Sequence, residues 1–122
     1  MHCKIYVDGC CSRRDLLEIV CASLNGQRDG WSVDFSEGDL DVRANDDADE
    51  GCFRDRSDGF LFSRYYLDID KSADSDRTGY VEALSRLLDR LWTSGFVAVA
   101  SCDFEDELPR LGGVRTWREM GG

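Results

Sequence analysis

The stretch Phe96-Val97-Ala98-Val99-Ala100-Ser101-Cys102-Asp103-Phe104-Glu105-Asp106-Glu107-Leu108-Pro109 changes character in its middle. The first half is a short apolar run of the kind a buried strand needs. The second half places four carboxylates within five positions, and Pro109, the one proline of the chain, closes it. The apolar half bears on the fold. The acidic half is the best lead on function.

Working outward from this closing strand, Tyr80, Val81, Leu84, Leu87, Leu88 and Leu91 recur at helical spacing. They predict an amphipathic helix over 78–94 that stops at Gly95. Before it, 60–70 reads as the longest strand, with Leu61, Tyr65, Leu67 and Ile69 toward one face and Phe60, Phe62, Tyr66 and Asp68 toward the other. Residues 45–59 have no period and many turn formers, so they read as a long, acidic, mobile loop. Trp31, Val33 and Phe35, then Leu40, Val42 and Ala44, alternate as one interrupted strand or two short ones around the turn signal at 36–39. At the other end of the chain, Cys3, Ile5 and Val7 alternate with Lys4, Tyr6 and Asp8 as a half-buried strand. Ser12 and Asp15 then form a capping box for a helix to about Leu24, which Asn25-Gly26 stops.

The resulting order is β-α-β-β-α-β, with an optional extra strand near 31–35. Right-handed crossovers would put both helices on one face of an antiparallel sheet. The expected fold is therefore α+β, a ferredoxin-like two-layer sandwich with the first and third strands central. It would form a single domain over 1–109, with 110–122 as a Gly- and Arg-containing C-terminal tail in which Gly112-Gly113 and Gly121-Gly122 supply flexibility.

Composition narrows the function classes. A chain of 122 residues can build one modest core, and 42% hydrophobic and 11% aromatic content argue against disorder despite 33% charged residues. The 25 acidic against 15 basic side chains leave a net charge of −10. Such a field repels nucleic acid and anionic membranes and steers a basic partner inward. Six cysteines could form a secreted disulfide framework. The strand-like start without a signal peptide, and the core-like positions of Cys3, Cys21 and Cys102, favour reduced thiols in a cytoplasmic protein. No apolar run approaches the ~20 residues of a membrane span.

Chemical motifs fail one after another. Asp68 to Ser72 begins like a calcium loop, but Ala73 stands where glycine is needed and Gly79 where the bidentate glutamate belongs. The segment from Asn45 fails at the same two positions, with Glu50 and Arg56. Cys10-Cys11 precedes a helix N-terminus, yet neither a phosphatase-like Cys-x5-Arg nor a Cys-x-x-Cys is present. His2 is the one histidine, so no histidine-based triad or histidine-rich metal site can be assembled. No carboxylate pair stands out as catalytic. The expectation is a non-enzymatic protein with no catalytic, metal or cofactor-binding residues.

Two surfaces remain. Asp103, Glu105, Asp106 and Glu107, together with Asp46, Asp47, Asp49 and Glu50 in the loop, would concentrate negative potential for a basic protein. On the strand, Asp103, Glu105 and Glu107 would share a face. Opposite the helices, Tyr6, Phe62, Arg64 and Tyr66 would line the central strands as a partner site or homodimer interface. The alternative is that the 45–59 loop or the tail folds over them. RNA-binding domains of this fold stack bases on that face, but theirs is basic.

Val42-x-x-Asn45-Asp46-Asp47, Gly59-Phe60-Leu61-Phe62, Tyr65-Tyr66-Leu67-Asp68-Ile69, Tyr80-Val81 and the Cys102–Pro109 run resemble small acidic actinobacterial proteins of the immunity type, which accompany polymorphic toxins. The resemblance covers roughly 1–113. It implies a cytosolic antitoxin that blocks its toxin's basic surface. The alternatives are a nucleic-acid-mimicking phage or bacterial inhibitor and a small ligand-binding or catalytic ferredoxin-like domain.

Overall fold

The structure is a computed structural model that describes residues 1–9 and 11–119. Cys10, and the Gly121-Gly122 pair read as a flexible end, lie outside the described residues. The described elements run β1 (His2–Asp8), α1 (Arg13–Leu24), β2 (Gln27–Asp29), β3 (Ser32–Phe35), β4 (Gly38–Ala44), α2 (Glu50–Asp55), β5 (Tyr65–Lys71), α3 (Arg77–Thr93), β6 (Val97–Ser101) and α4 (Val114–Glu119). This is an α+β fold with one six-stranded antiparallel sheet in the order β2-β3-β4-β5-β1-β6.

Period-two alternation decides which face of the sheet is dry. Cys3, Ile5, Val7, Val33, Phe35, Leu40, Val42, Leu67, Ile69, Ala98 and Ala100 all turn inward. There they meet Leu16, Leu17, Val20 and Leu24 of α1 and Tyr80, Ala83, Leu84, Leu87, Leu88 and Leu91 of α3 in a single core. Helix ends follow the local chemistry. Ser12 and Asp15 complete both halves of the capping box, and Asn25 takes the left-handed stop at φ 50°. Asp76 caps α3 by accepting from the Gly79 N–H, and Gly95 closes it at φ 92°.

Four expectations need correction. First, 31–44 takes the two-strand form of the reading, but Gln27–Asp29 adds a strand that it lacked, β2, at the sheet edge. Second, the strand read over 60–70 starts only at Tyr65, because Gly59–Phe62 is a 3-10 turn. Asn45 Nδ2 donates to the Leu61 and Ser63 carbonyls at 3.0 and 2.8 Å, so those carbonyls serve a side chain rather than the ladder. Gly59 sits so close to the Phe53 carbonyl that a Cβ there would lie 2.3 Å from it. Phe62 is thus on a turn and not on a central strand.

Third, the 45–59 segment is not a structureless loop. Asp49 accepts from the Cys52 N–H at 2.9 Å and starts the short helix α2. Fourth, residues after Pro109 do not trail away as far as Glu119. Gly112 and Gly113 are buried at φ 71° and 99°, and a Cβ on Gly113 would lie 2.3 Å from the Ala98 carbonyl. The two glycines therefore allow close approach to the outer edge of β6 rather than flexibility. α4 then buries Trp117, whose Nε1 donates to the Ser57 carbonyl at 2.9 Å and whose ring packs edge-on against Phe53 and Phe60.

Trp117→Ala tests whether the C-terminal segment is structural. Its side chain is 4% exposed, so truncation should cost about 3 kcal/mol or more of unfolding free energy. Urea denaturation of the two proteins measures this; an unchanged midpoint would mean that the segment carries no stability.

Candidate functional site on the outer sheet face

The face away from α1 and α3 is built by the residues that alternate with the core. The register arranges them in rows across the strands. One row reads Gln27, Asp34, Asp39, Asp70 and His2. The next reads Asp29, Ser32, Asp41, Asp68, Lys4 and Ser101. A third reads Arg43, Tyr66, Tyr6 and Val99. Carboxylate thus faces carboxylate at Asp34–Asp39, Asp39–Asp70 and Asp41–Asp68, an arrangement that destabilises a bare sheet.

Neighbouring groups relieve this only in part. Arg43 lies 3.1 Å from Asp41 and 3.8 Å from Asp68. His2 Nε2 pairs with Asp68, and Ser32 Oγ donates to Asp41. Lys4 turns toward the aromatic rings, with Nζ 4.6 Å from the Tyr66 ring centre. In the first row Asp39 keeps acidic neighbours on both sides. Its carboxyl is held above the usual carboxylate range, by desolvation first and then by Asp70, Asp34 and Asp41.

The acidic half of the 96–109 stretch continues this surface. β6 runs toward the His2 end of β1, so the chain leaves the sheet beside that aspartate row. His2, Ser101, Cys102, Asp103 and Glu105 line one open recess there. The segment is not extended, however. Glu105–Glu107 is a 3-10 turn, so the strand-like sharing of one face by Asp103, Glu105 and Glu107 does not occur. Phe104 and Leu108 are buried and pin the turn. Glu105 accepts from the Cys102 N–H at 3.1 Å, Glu107 pairs with Arg77, and Asp103 and Asp106 stay exposed.

The other acidic group lies elsewhere. β4 runs from Gly38, opposite Lys71, to Ala44, opposite Tyr65. Asp46, Asp47, Asp49 and Glu50 therefore follow the far end of the sheet, past a strand end that lies three residues, or about 10 Å, beyond Asp41. All four are exposed. Asp49 is occupied as the α2 cap, whose backbone N–H bond from Cys52 holds its carboxyl below the usual range.

At that far end the outer face is partly covered. Tyr6 lies 6.2 Å from Tyr66 and 6.0 Å from Phe60 (ring centres), and Phe60 in turn meets Trp117. Tyr6, Phe62 and Tyr66 are half-buried, and Arg56 stacks 5.3 Å from the Phe62 ring. Arg64 engages Asp8 through its backbone N–H at 2.9 Å and the Gly9 carbonyl through its guanidinium at 3.1 Å. Loop and tail together roof this end, leaving the aspartate end open.

In the sequence, Asp68 to Ser72 reads as a failed calcium loop, and Asp34, Asp39 and Asp41 belong to no motif. The signal of the sheet aspartates is a repeated acid–apolar–acid triplet, Asp39-Leu40-Asp41 and Asp68-Ile69-Asp70. Its meaning depends on the two triplets being paired. Among the described residues no group of three or more His, Cys, Asp or Glu side chains is arranged to hold a metal ion, and no helix is long and apolar enough to cross a membrane. Comparison with family models, characterised proteins and solved structures finds no match to this chain.

Because Asp39 binds its proton more tightly in the folded chain than in the unfolded one, its ionisation opposes folding above the carboxylate range, and the opposition fades as pH falls through that range. Asp39→Asn should therefore raise the melting temperature at pH 7, with the gain shrinking toward pH 4 and in high salt. Thermal melts across pH check this; a lower melting temperature at pH 7 would contradict it.

Proposed function

We propose that this chain is a non-enzymatic acidic binding protein of the immunity type, acting in the cytoplasm to neutralise a cationic toxin domain by direct protein–protein contact. The observation that carries the reading is the register-built field of Asp34, Asp39, Asp41, Asp68 and Asp70 on an open sheet face, extended by Asp103 and Glu105. Carboxylates facing one another across strands reduce stability, and a basic partner would turn that cost into attraction. The resemblance to immunity-type proteins and the net charge of −10 support the same partner chemistry. The strand block β6-β1-β5-β4 with α1 and α3 supports a ferredoxin-like core, to which β2 and β3 add a hairpin.

A second reading draws on one feature of the same field. Asp39, Asp41, Asp68 and Asp70 form a two-by-two grid, about 5 Å between strands and about 7 Å along them. Such regular spacing suits a nucleic-acid mimic in a basic groove. Competition between this protein and a DNA oligonucleotide for the same partner would favour mimicry; independent binding would favour the first reading.

Charge steering predicts the kinetics. With the basic partner recovered from the native cytosol, the Asp39→Asn/Asp41→Asn/Asp70→Asn variant should associate on the order of tenfold more slowly at low salt, with dissociation changed far less. The difference should vanish at high salt, and Asp46→Asn/Asp47→Asn should associate at the normal rate. Stopped-flow traces decide. Equal association rates for the triple variant would remove the sheet face from the interface.

A further inference from the structure

Two thiols stand side by side where β1 begins and β6 ends. The β1–β6 ladder pairs Lys4 with Ser101 and Ile5 with Ala100. Continuing that register one step past the last residue of β6 brings Cys102 opposite Cys3. Each thiol is the largest influence on the other's titration, as close neighbours would be. Directly opposed antiparallel residues have Cα atoms roughly 4.5–5.5 Å apart, inside the roughly 4.4–6.8 Å that a disulfide spans. Neither cysteine is in a disulfide in the structure.

The two sulfurs differ in access. Cys3 is fully buried against the core, whereas Cys102 is half-buried and lines the open recess with His2, Ser101, Asp103 and Glu105. We propose that Cys3 and Cys102 form an oxidisable dithiol, in which the Cys102 sulfur attacks hydrogen peroxide and Cys3 resolves the product to a disulfide. The inference does not rest on the binding role proposed above.

The chemistry balances with peroxide as the two-electron oxidant. The Cys102 thiolate attacks one peroxide oxygen, the O–O bond breaks, and hydroxide leaves to become water with the thiol's proton. Cys102 is then a sulfenic acid. Cys3 sulfur attacks the Cys102 sulfur, the S–O bond breaks, and the departing hydroxide takes the Cys3 proton as a second water. The environment divides the roles in the same way. The neighbouring Cys3 thiol favours the Cys102 thiolate, helped by the Phe104 backbone N–H against burial and the charges of Glu105 and Asp103. Cys3 is pushed up, by Cys102 first and by burial second. The nucleophile is the accessible sulfur and the resolving thiol is the protected one.

Closure would tie the first strand to the acidic turn at 105–107 across nearly the whole chain, a loop length at which a cross-link constrains the unfolded state strongly. Peptide mapping of the wild-type protein after mild hydrogen peroxide, with alkylation of remaining thiols, provides the test. Trypsin should release residues 1–4 joined to 91–110, each containing one cysteine, and 2 Da lighter than the two reduced peptides together, because two hydrogens are lost. A thiol reductant should restore both free peptides. The oxidised protein should melt roughly 10 °C higher. In Cys102→Ala, Cys3 should stay unoxidised in the folded protein. Recovery of Cys102 as a sulfinic acid with Cys3 still alkylatable, or a cross-link joining other cysteines in preference, would overturn the proposal.

Discussion

β4 and β5 are held in register by Leu40 against Ile69 and Val42 against Leu67, four side chains that are at most 1% exposed. Each fully buried aliphatic side chain contributes roughly 1.5–3 kcal/mol. A facing pair of like charges costs a fraction of a kcal/mol to about 1 kcal/mol. The apolar side of the sheet therefore wins outright. Slipping β5 by one residue against β4 would turn Leu67 and Ile69 to water and Asp68 and Asp70 into the core. Given that register, aspartate must face aspartate on the outer side. The acidic field is a direct geometric consequence of how the core packs.

The same outer face is divided along its length. Toward the end of β1, Tyr6 is met by Tyr66 and Phe60, and Phe60 by Trp117 of the C-terminal segment. Toward its start, His2, which pairs with Asp68 and stands opposite Asp70, lines the recess with Asp103 and Glu105. α2, the 3-10 turn after it and α4 thus close one half of a surface that an open-faced sheet would leave bare. Apolar area is removed from water at the roofed end, and charge is concentrated at the open one.

Local chemistry was legible in the sequence, and long-range pairing was not. Ser12, Asp15 and Asn25 announce the ends of α1 because a cap is decided within a few residues. The inner-face alternation of β1 and β4 is equally plain. β5 was read too long because Phe60-Leu61-Phe62 has strand composition, while Asn45, which takes the Leu61 and Ser63 carbonyls, lies some fifteen residues upstream. α4 was missed because Gly112-Gly113 looks like a flexible pair until the Ala98 carbonyl is seen against it. The site followed the same rule. Asp103 and Glu105 stand out as a run, but Asp39 and Asp70 become one feature only when strands some thirty residues apart are placed side by side.

The row between the two halves of the outer face holds Arg43, Tyr66 and Tyr6, with Lys4 resting on the Tyr66 ring. The aspartate rows alone would draw any cationic surface, because long-range attraction does not distinguish one basic protein from another. Discrimination requires shape, desolvation and a repulsive element as well as attraction. This boundary row brings together half-buried aromatics with polar hydroxyl ends and two cations that repel a badly placed basic side chain. On the proposed binding role, a partner steered to the aspartates would be selected a few ångströms further along the strands, where acid gives way to aromatic. Steering and selection would then be separate properties of neighbouring rows, both set by the packing of the inner face.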